Sequence, residues 1–126
     1  MKKLHNILLI LIGTSLIFGC ASIQEAESLY NKGDKEAALN MAISLLDKDD
    51  PRIRLRAVRL IGKVGGEKAG SALRMKIRDS DSKVQKEVVK HLGKLRYEPA
   101  MEDLVDLVPD SEEGLARVIG VCLLYT

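Results

Sequence analysis

The sequence predicts an all-α chain, a short right-handed α-solenoid of stacked helical hairpins that follows an N-terminal signal peptide. The 126 residues are 46% apolar, 30% charged and only 3% aromatic, with no Trp and a single Phe. That composition favours helices in one small domain and argues against an aromatic-rich β-sandwich or a carbohydrate groove. Apolar residues recur three and four apart from residue 50 onward, which is helical spacing. The same stretch realigns on itself at an offset of 31 residues, the mark of a repeat array whose units bury their apolar stripes only by stacking.

The first element is an address. Met1-Lys2-Lys3 is a basic n-region, Ile7 to Phe18 is apolar apart from Gly13-Thr14-Ser15, and Gly19-Cys20-Ala21-Ser22 is the polar exit, so the segment reads as an export signal. Ile17-Phe18-Gly19-Cys20 resembles the lipobox of bacterial lipoproteins, in which the cysteine is diacylated on sulfur, the bond before it is cut and the new amino terminus is usually acylated too. The resemblance implies removal of residues 1–19 and lipidation at Cys20. Acyl chains contribute about 0.8 kcal/mol per buried methylene, so two or three give a stable membrane anchor. Ala21 is not the Asp that the resemblance associates with inner-membrane retention, which favours the periplasmic side of the outer membrane in a cell with two membranes. Two other readings stay open: an uncleaved spanning helix over the uncharged stretch from Leu4 to Gln24, and a plain secretory signal cut after an Ala. With Cys20 lipidated, Cys122 is the one thiol left, so no intrachain disulfide forms.

Residues 20–48 form the second element. Ala26 to Leu39, followed by Ala42, Leu45 and Leu46, resembles a single tetratricopeptide repeat: small Ala26 packs, Gly33-Asp34 turns, and Ala38 sits where the second helix meets the first. A lone unit of this kind reads as a cap on the first hairpin, or as part of a binding surface.

Residues 49–126 form the third, about two and a half repeats with the last one incomplete. Ile53, Ala57, Ile61, Gly62 and Val64 realign on Val84, Val88, Leu92, Gly93 and Leu95, and Glu67, Ala69, Leu73 and Ile77 on Glu98, Ala100, Leu104 and Val108. Leu115, Ile119 and Leu123 open a further copy. First helices are expected near residues 52–64 and 82–95, and second helices near 67–78 and 99–108. Asp50 with Pro51 starts a helix, Gly65-Gly66 ends it, and Pro99 opens another. Asp50-Pro51-Arg52, Ile61-Gly62-Lys63-Val64 and Leu92-Gly93-Lys94-Leu95 resemble the short HEAT-like repeats of the phycobilisome-lyase type. Known members with that activity are long intracellular arrays that attach bilins, a role that an exported short chain fits poorly.

No residue pattern points to catalysis. Gly65-Gly66-Glu67-Lys68-Ala69-Gly70-Ser71 has glycines spaced like a phosphate loop, yet Ser71 stands where the Lys belongs and no strand precedes it, so it reads as an interhelical turn. His91 replaces Leu60 of the previous copy and reads as a helix-surface or half-buried residue, because no Cys, Asp or Glu cluster completes a metal or triad pattern. Cys122 reads as a small core hydrophobe. No catalytic residue, cofactor or metal is expected.

Charge is the remaining signal. Residues 20–51 carry net −4, residues 52–96 net +10 and residues 97–126 net −6, so the chain after residue 19 is neutral overall and not a uniformly basic nucleic-acid binder. Arg52, Arg56, Arg59 and Lys63 step along one side of a helix, and Lys83, Lys90 and Lys94 repeat three of those positions. Stacking aligns them as a ridge opposite the core, read either as a solvated face or as a docking surface for an anionic protein or membrane; no nucleic acid is expected. At the far end, Val118, Val121 and Leu124 point around the last helix and are candidates for self-association. The expected function is a membrane-anchored, non-enzymatic adaptor or assembly scaffold at the cell envelope, holding a protein partner. The alternative is a structural module, a piece of a longer array, pairing through its open C-terminal end.

Overall fold

Asp50 and Asp81 stand 31 residues apart and do the same work. Asp50 Oδ1 accepts from the backbone N–H of Arg52 at 2.8 Å, and Asp81 Oδ1 accepts from those of Lys83 at 2.9 Å and Val84 at 3.0 Å. Each carboxylate thereby satisfies first-turn donors that the helix itself cannot pair. The computed structural model describes residues 22–110 and 113–124. The export signal and Cys20 lie outside the described residues, as does the side chain of Cys122.

Among the described residues there are seven α-helices and no strand. They are α1 (Ile23–Asn31), α2 (Lys35–Ser44), α3 (Pro51–Val64), α4 (Glu67–Arg74), α5 (Ser82–Leu95), α6 (Met101–Leu107) and α7 (Glu113–Leu124). Helices α1 and α2 form an antiparallel hairpin closed by Gly33, at φ +91°, and capped by Asp34, whose Oδ1 accepts from Ala37 N–H at 3.1 Å. Ala26 and Ala38 are both fully buried there. Helix α2 packs on α3, α3 on α5 and α5 on α7, so the first helices of successive hairpins stand side by side, with α4 leaning on α3 and α5 and α6 leaning on α7. This is a short α-solenoid. Val58, Ile61, Leu73, Val88, Leu92 and Ile119 are fully buried along its axis, each contributing about 1.5–3 kcal/mol of transfer free energy.

The second helices are shorter than the spacing predicts. Helix α4 ends at Arg74, four residues before the expected 78, because the backbone there tightens: Lys76, Ile77 and Asp79 donate to carbonyls three residues back rather than four. The tightening leaves Met75 84% exposed while Ile77 reaches the core. The second helix of the next hairpin opens with a 3-10 turn at Glu98–Ala100 before α6 and ends in another at Val108–Asp110, each turn holding a proline.

The same tightening delivers Asp79 to Arg54. The Arg54 guanidinium donates from Nε to Asp79 Oδ2 at 2.9 Å and from Nη2 to Asp79 Oδ1 at 2.8 Å. Its Nη1 also donates to the carbonyls of Lys48 and Asp49 at 2.8 and 2.9 Å. One buried cation therefore ties the turn before α3 to the turn before α5. Burial alone would raise the Asp79 carboxyl, but the hydrogen bonds from Arg54 and from Asp81 N–H hold it below the usual carboxylate range.

Both first helices end on a residue at positive φ, Gly65 at +72° and, one repeat on, Arg96 at +49°. Glycine takes such a position freely; Arg96 adopts the left-handed conformation at a steric cost.

Candidate functional site

The seven basic residues of the predicted ridge lie along α3 and α5. Arg52, Arg59, Lys63, Lys83, Lys90 and Lys94 are exposed and Arg56 is half-buried. Their charge is unevenly spent. Arg52 folds back on its own cap, Asp50, at 2.9 Å, and Arg56 Nη2 bonds Glu27 Oε2 of α1 at 2.6 Å. The position equivalent to Arg56 in the second copy is Glu87, whose Oε1 accepts from Lys90 Nζ at 3.0 Å and lies 3.6 Å from Arg59 Nε. Burial works to raise the Glu87 carboxyl, and the hydrogen bond from Lys90 with the charges of Lys90 and Arg59 outweighs it and holds the group below its ordinary value. In the middle of the ridge, Arg59 and Lys90 thus share one carboxylate, which offsets part of their charge. Lys63, Lys83 and Lys94 have no ion pair among the described residues, and Lys63 and Lys94 are equivalent positions in the last turns of α3 and α5.

His91 lies beneath this row. It is buried, with Nε2 3.2 Å from Glu87 Oε1 but not aligned for a hydrogen bond. Desolvation, helped by Lys90 and Lys94, lowers its pKa against the pull of Glu87, so the ring is kept neutral. Its ring fills the space over Gly62 of α3. The Gly65-Gly66 segment is an interhelical turn, Gly65 closing α3 and Gly66 opening α4. Among the described residues no group of three His, Cys, Asp or Glu side chains could hold a metal ion, and no helix is long and apolar enough to cross a membrane.

At the C-terminal end a groove of about 570 Å³ runs between α5 and α7, lined by Lys90, Gly93, Lys94, Arg96, Arg117, Val118 and Val121. Its surface is almost wholly apolar, made by the two valines, the bare backbone of Gly93 and the aliphatic stems of the basic residues, whose heads reach solvent. Val118 packs partly against the core, while Val121 is 54% and Leu124 is 86% exposed. Arg117 pairs with Glu113 one turn earlier, and Arg96 has no ion pair among the described residues. Sequence reasoning singled out the valines and Lys90 and Lys94 separately. It missed Arg96 and Arg117, which join the site only because α7 packs on α5.

It also missed Arg54, which is structural rather than part of this site. A signal existed: Arg54 occupies the same helical column as buried Val58 and Ile61, where an arginine is out of place unless paired.

Stacked hairpins with first helices side by side define a helical-repeat solenoid. The family model for HEAT repeats matches residues 39–120, and the chain belongs to that family. No curated protein matches the sequence.

Proposed function

We propose that this HEAT-repeat chain is a lipid-anchored, non-enzymatic adaptor that holds an acidic protein surface close to a membrane of the cell envelope. What carries the reading is that Lys94 and Arg96, which no described carboxylate neutralises, stand together where α5 ends and line the apolar groove. An apolar strip rimmed by one sign of charge suits a protein partner, because the strip supplies affinity and the charges supply orientation and encounter rate. Among the described residues that line the groove, none offers an aromatic ring on which bases could stack. The anchor rests on the sequence at Met1 to Cys20, and the repeat subtype on the Asp50-Pro51-Arg52 and Leu92-Gly93-Lys94-Leu95 resemblance to the phycobilisome-lyase type. The tetratricopeptide-like hairpin of α1 and α2 serves as the N-terminal cap, bound to α3 through Glu27 and Arg56.

Two measurements test this. Intact mass of the protein from membranes is expected to show a chain starting at Cys20 with added lipid, and Cys20→Ala to release the protein or stop its processing. A photo-crosslinking residue at Lys94 in the full chain is expected to capture one recurrent protein, with capture reduced by Arg96→Glu. Capture equal to that from a control site at Glu36 on α2 would defeat the adaptor reading.

The exposed Val121 and Leu124 favour a second reading, in which this face of α7 pairs with another solenoid.

A further inference from the structure

We propose that the groove between α5 and α7 receives the acidic edge of α6 from a second copy of this chain. The proposal deepens the protein-binding reading of this end and does not depend on the lipid anchor.

Both halves of the contact are present in the molecule. The groove offers Val118, Val121 and Gly93 between Lys90, Lys94 and Arg96 on one side and Arg117 on the other; Lys94 and Arg96 are its cations without an ion pair among the described residues, while Lys90 and Arg117 pair within their own helices. Val105 of α6 is 53% exposed, and Val108, three residues on in the 3-10 turn that follows, is 39% exposed. Glu102 precedes Val105 by three residues, so Glu102, Val105 and Val108 form one outward stripe, with exposed Asp106 beside it. Glu102 and Asp106 have no ion pair among the described residues. The stripe is therefore apolar with a carboxylate border, the chemical complement of an apolar groove with a cationic border.

The stripe cannot serve its own groove. Leu104 and Leu107 anchor the opposite side of α6 in the core, and Asp103 is held by Arg74 of α4, so the stripe faces away from the chain that carries it. The wider charge pattern favours the same partner, since residues 52–96 carry net +10 and residues 97–126 net −6. Groove and stripe are different patches, so two copies that exchange both contacts form an isologous pair, and a one-way contact is heterologous and propagates along a row. Two valines against a shallow groove fall well short of the roughly 1,000 Å² of a stable interface, so the association is weak and reversible. Confinement to a membrane surface would raise its occupancy through effective concentration.

The test mixes isotope-labelled and unlabelled full chain and couples amines to carboxylates with a zero-length carbodiimide. The expected products join Lys90 or Lys94 of one label to Glu102 or Asp106 of the other, in a yield that falls with added salt. In sedimentation, Lys94→Glu with Arg117→Glu, and Glu102→Lys with Asp106→Lys, are each expected to weaken association about tenfold or more, with helical circular dichroism unchanged. An equimolar mixture of the two reversed variants is expected to associate again, which a merely unfolded variant could not do. Products confined to one label, or reversed variants that associate as the wild type does, would overturn the proposal. If such a result came with a different protein still captured at Lys94, the groove's occupant would be that protein and the adaptor reading would stand; loss of both would remove both.

Discussion

Gly62 of α3 and His91 of α5 are matched across the interface between two repeats: a Cβ on Gly62 would lie 2.1 Å from His91 Nδ1. A histidine thus occupies the place that Leu60 takes one repeat earlier, and the facing helix has no side chain there to meet it. Gly70 and Tyr97 repeat the device, with a Cβ on Gly70 falling 2.3 Å from the tyrosine ring.

Gly62→Ala is expected to destabilise the protein. Alanine is the better helix former by about 1 kcal/mol, but overpacking of this kind costs about 1–3 kcal/mol and His91 is buried and hemmed in. Urea unfolding should show the loss, and the double variant with His91→Ala should recover much of it. Additive losses would mean that the two residues are not coupled.

Stability should fall as pH drops through the His91 range. Burial holds the folded pKa below the ordinary 6.5, so the unfolded chain binds the proton more readily. The neutral-ring contribution is complete above about 6.5 and is lost as pH falls toward the folded value. The facing carboxylate, Glu87, is held below its ordinary value and stays ionised across that window. His91→Gln should flatten the stability profile as pH falls below about 6.5; an unchanged slope would exclude His91 as its source.

Asp79→Ala should cost about 3–5 kcal/mol by stranding a buried guanidinium. Replacing the pair with Arg54→Met and Asp79→Leu should not restore the full stability. The carbonyls of Lys48 and Asp49 would lose their donor, at about 1–3 kcal/mol in all if left dry. Full recovery in thermal unfolding would show that water replaces the guanidinium there.

Arg96→Gly should stabilise the fold by about 0.5–1 kcal/mol, since φ +49° is strained for arginine and free for glycine. It would remove one cation from the groove at the same time, so thermal stability and association are expected to move in opposite directions. A lower melting temperature would mean that the Arg96 side chain holds the end of α5 by a contact worth more than the strain.

The chain's local rules were legible along its length. The three-and-four spacing of Val84, Val88 and Leu92, the caps at Asp50 and Asp81, and the turn at Gly65-Gly66 each act within a few residues, so the order and kind of the helices and the start and end of α3 and α5 follow from neighbours in the chain. The 31-residue register extends this one step further, because equivalent residues of stacked hairpins must lie beside each other. Packing decided what no local rule contains. Asp79 is brought to Arg54 across 25 positions by shortening α4, and Glu87, which pairs with Lys90 within its own helix, reaches Arg59 only because α3 and α5 pack together. Arg96 and Arg117 meet across a groove for the same reason. Burial and ion pairing depend on distances between side chains far apart in sequence, and those distances exist only once the repeats have stacked.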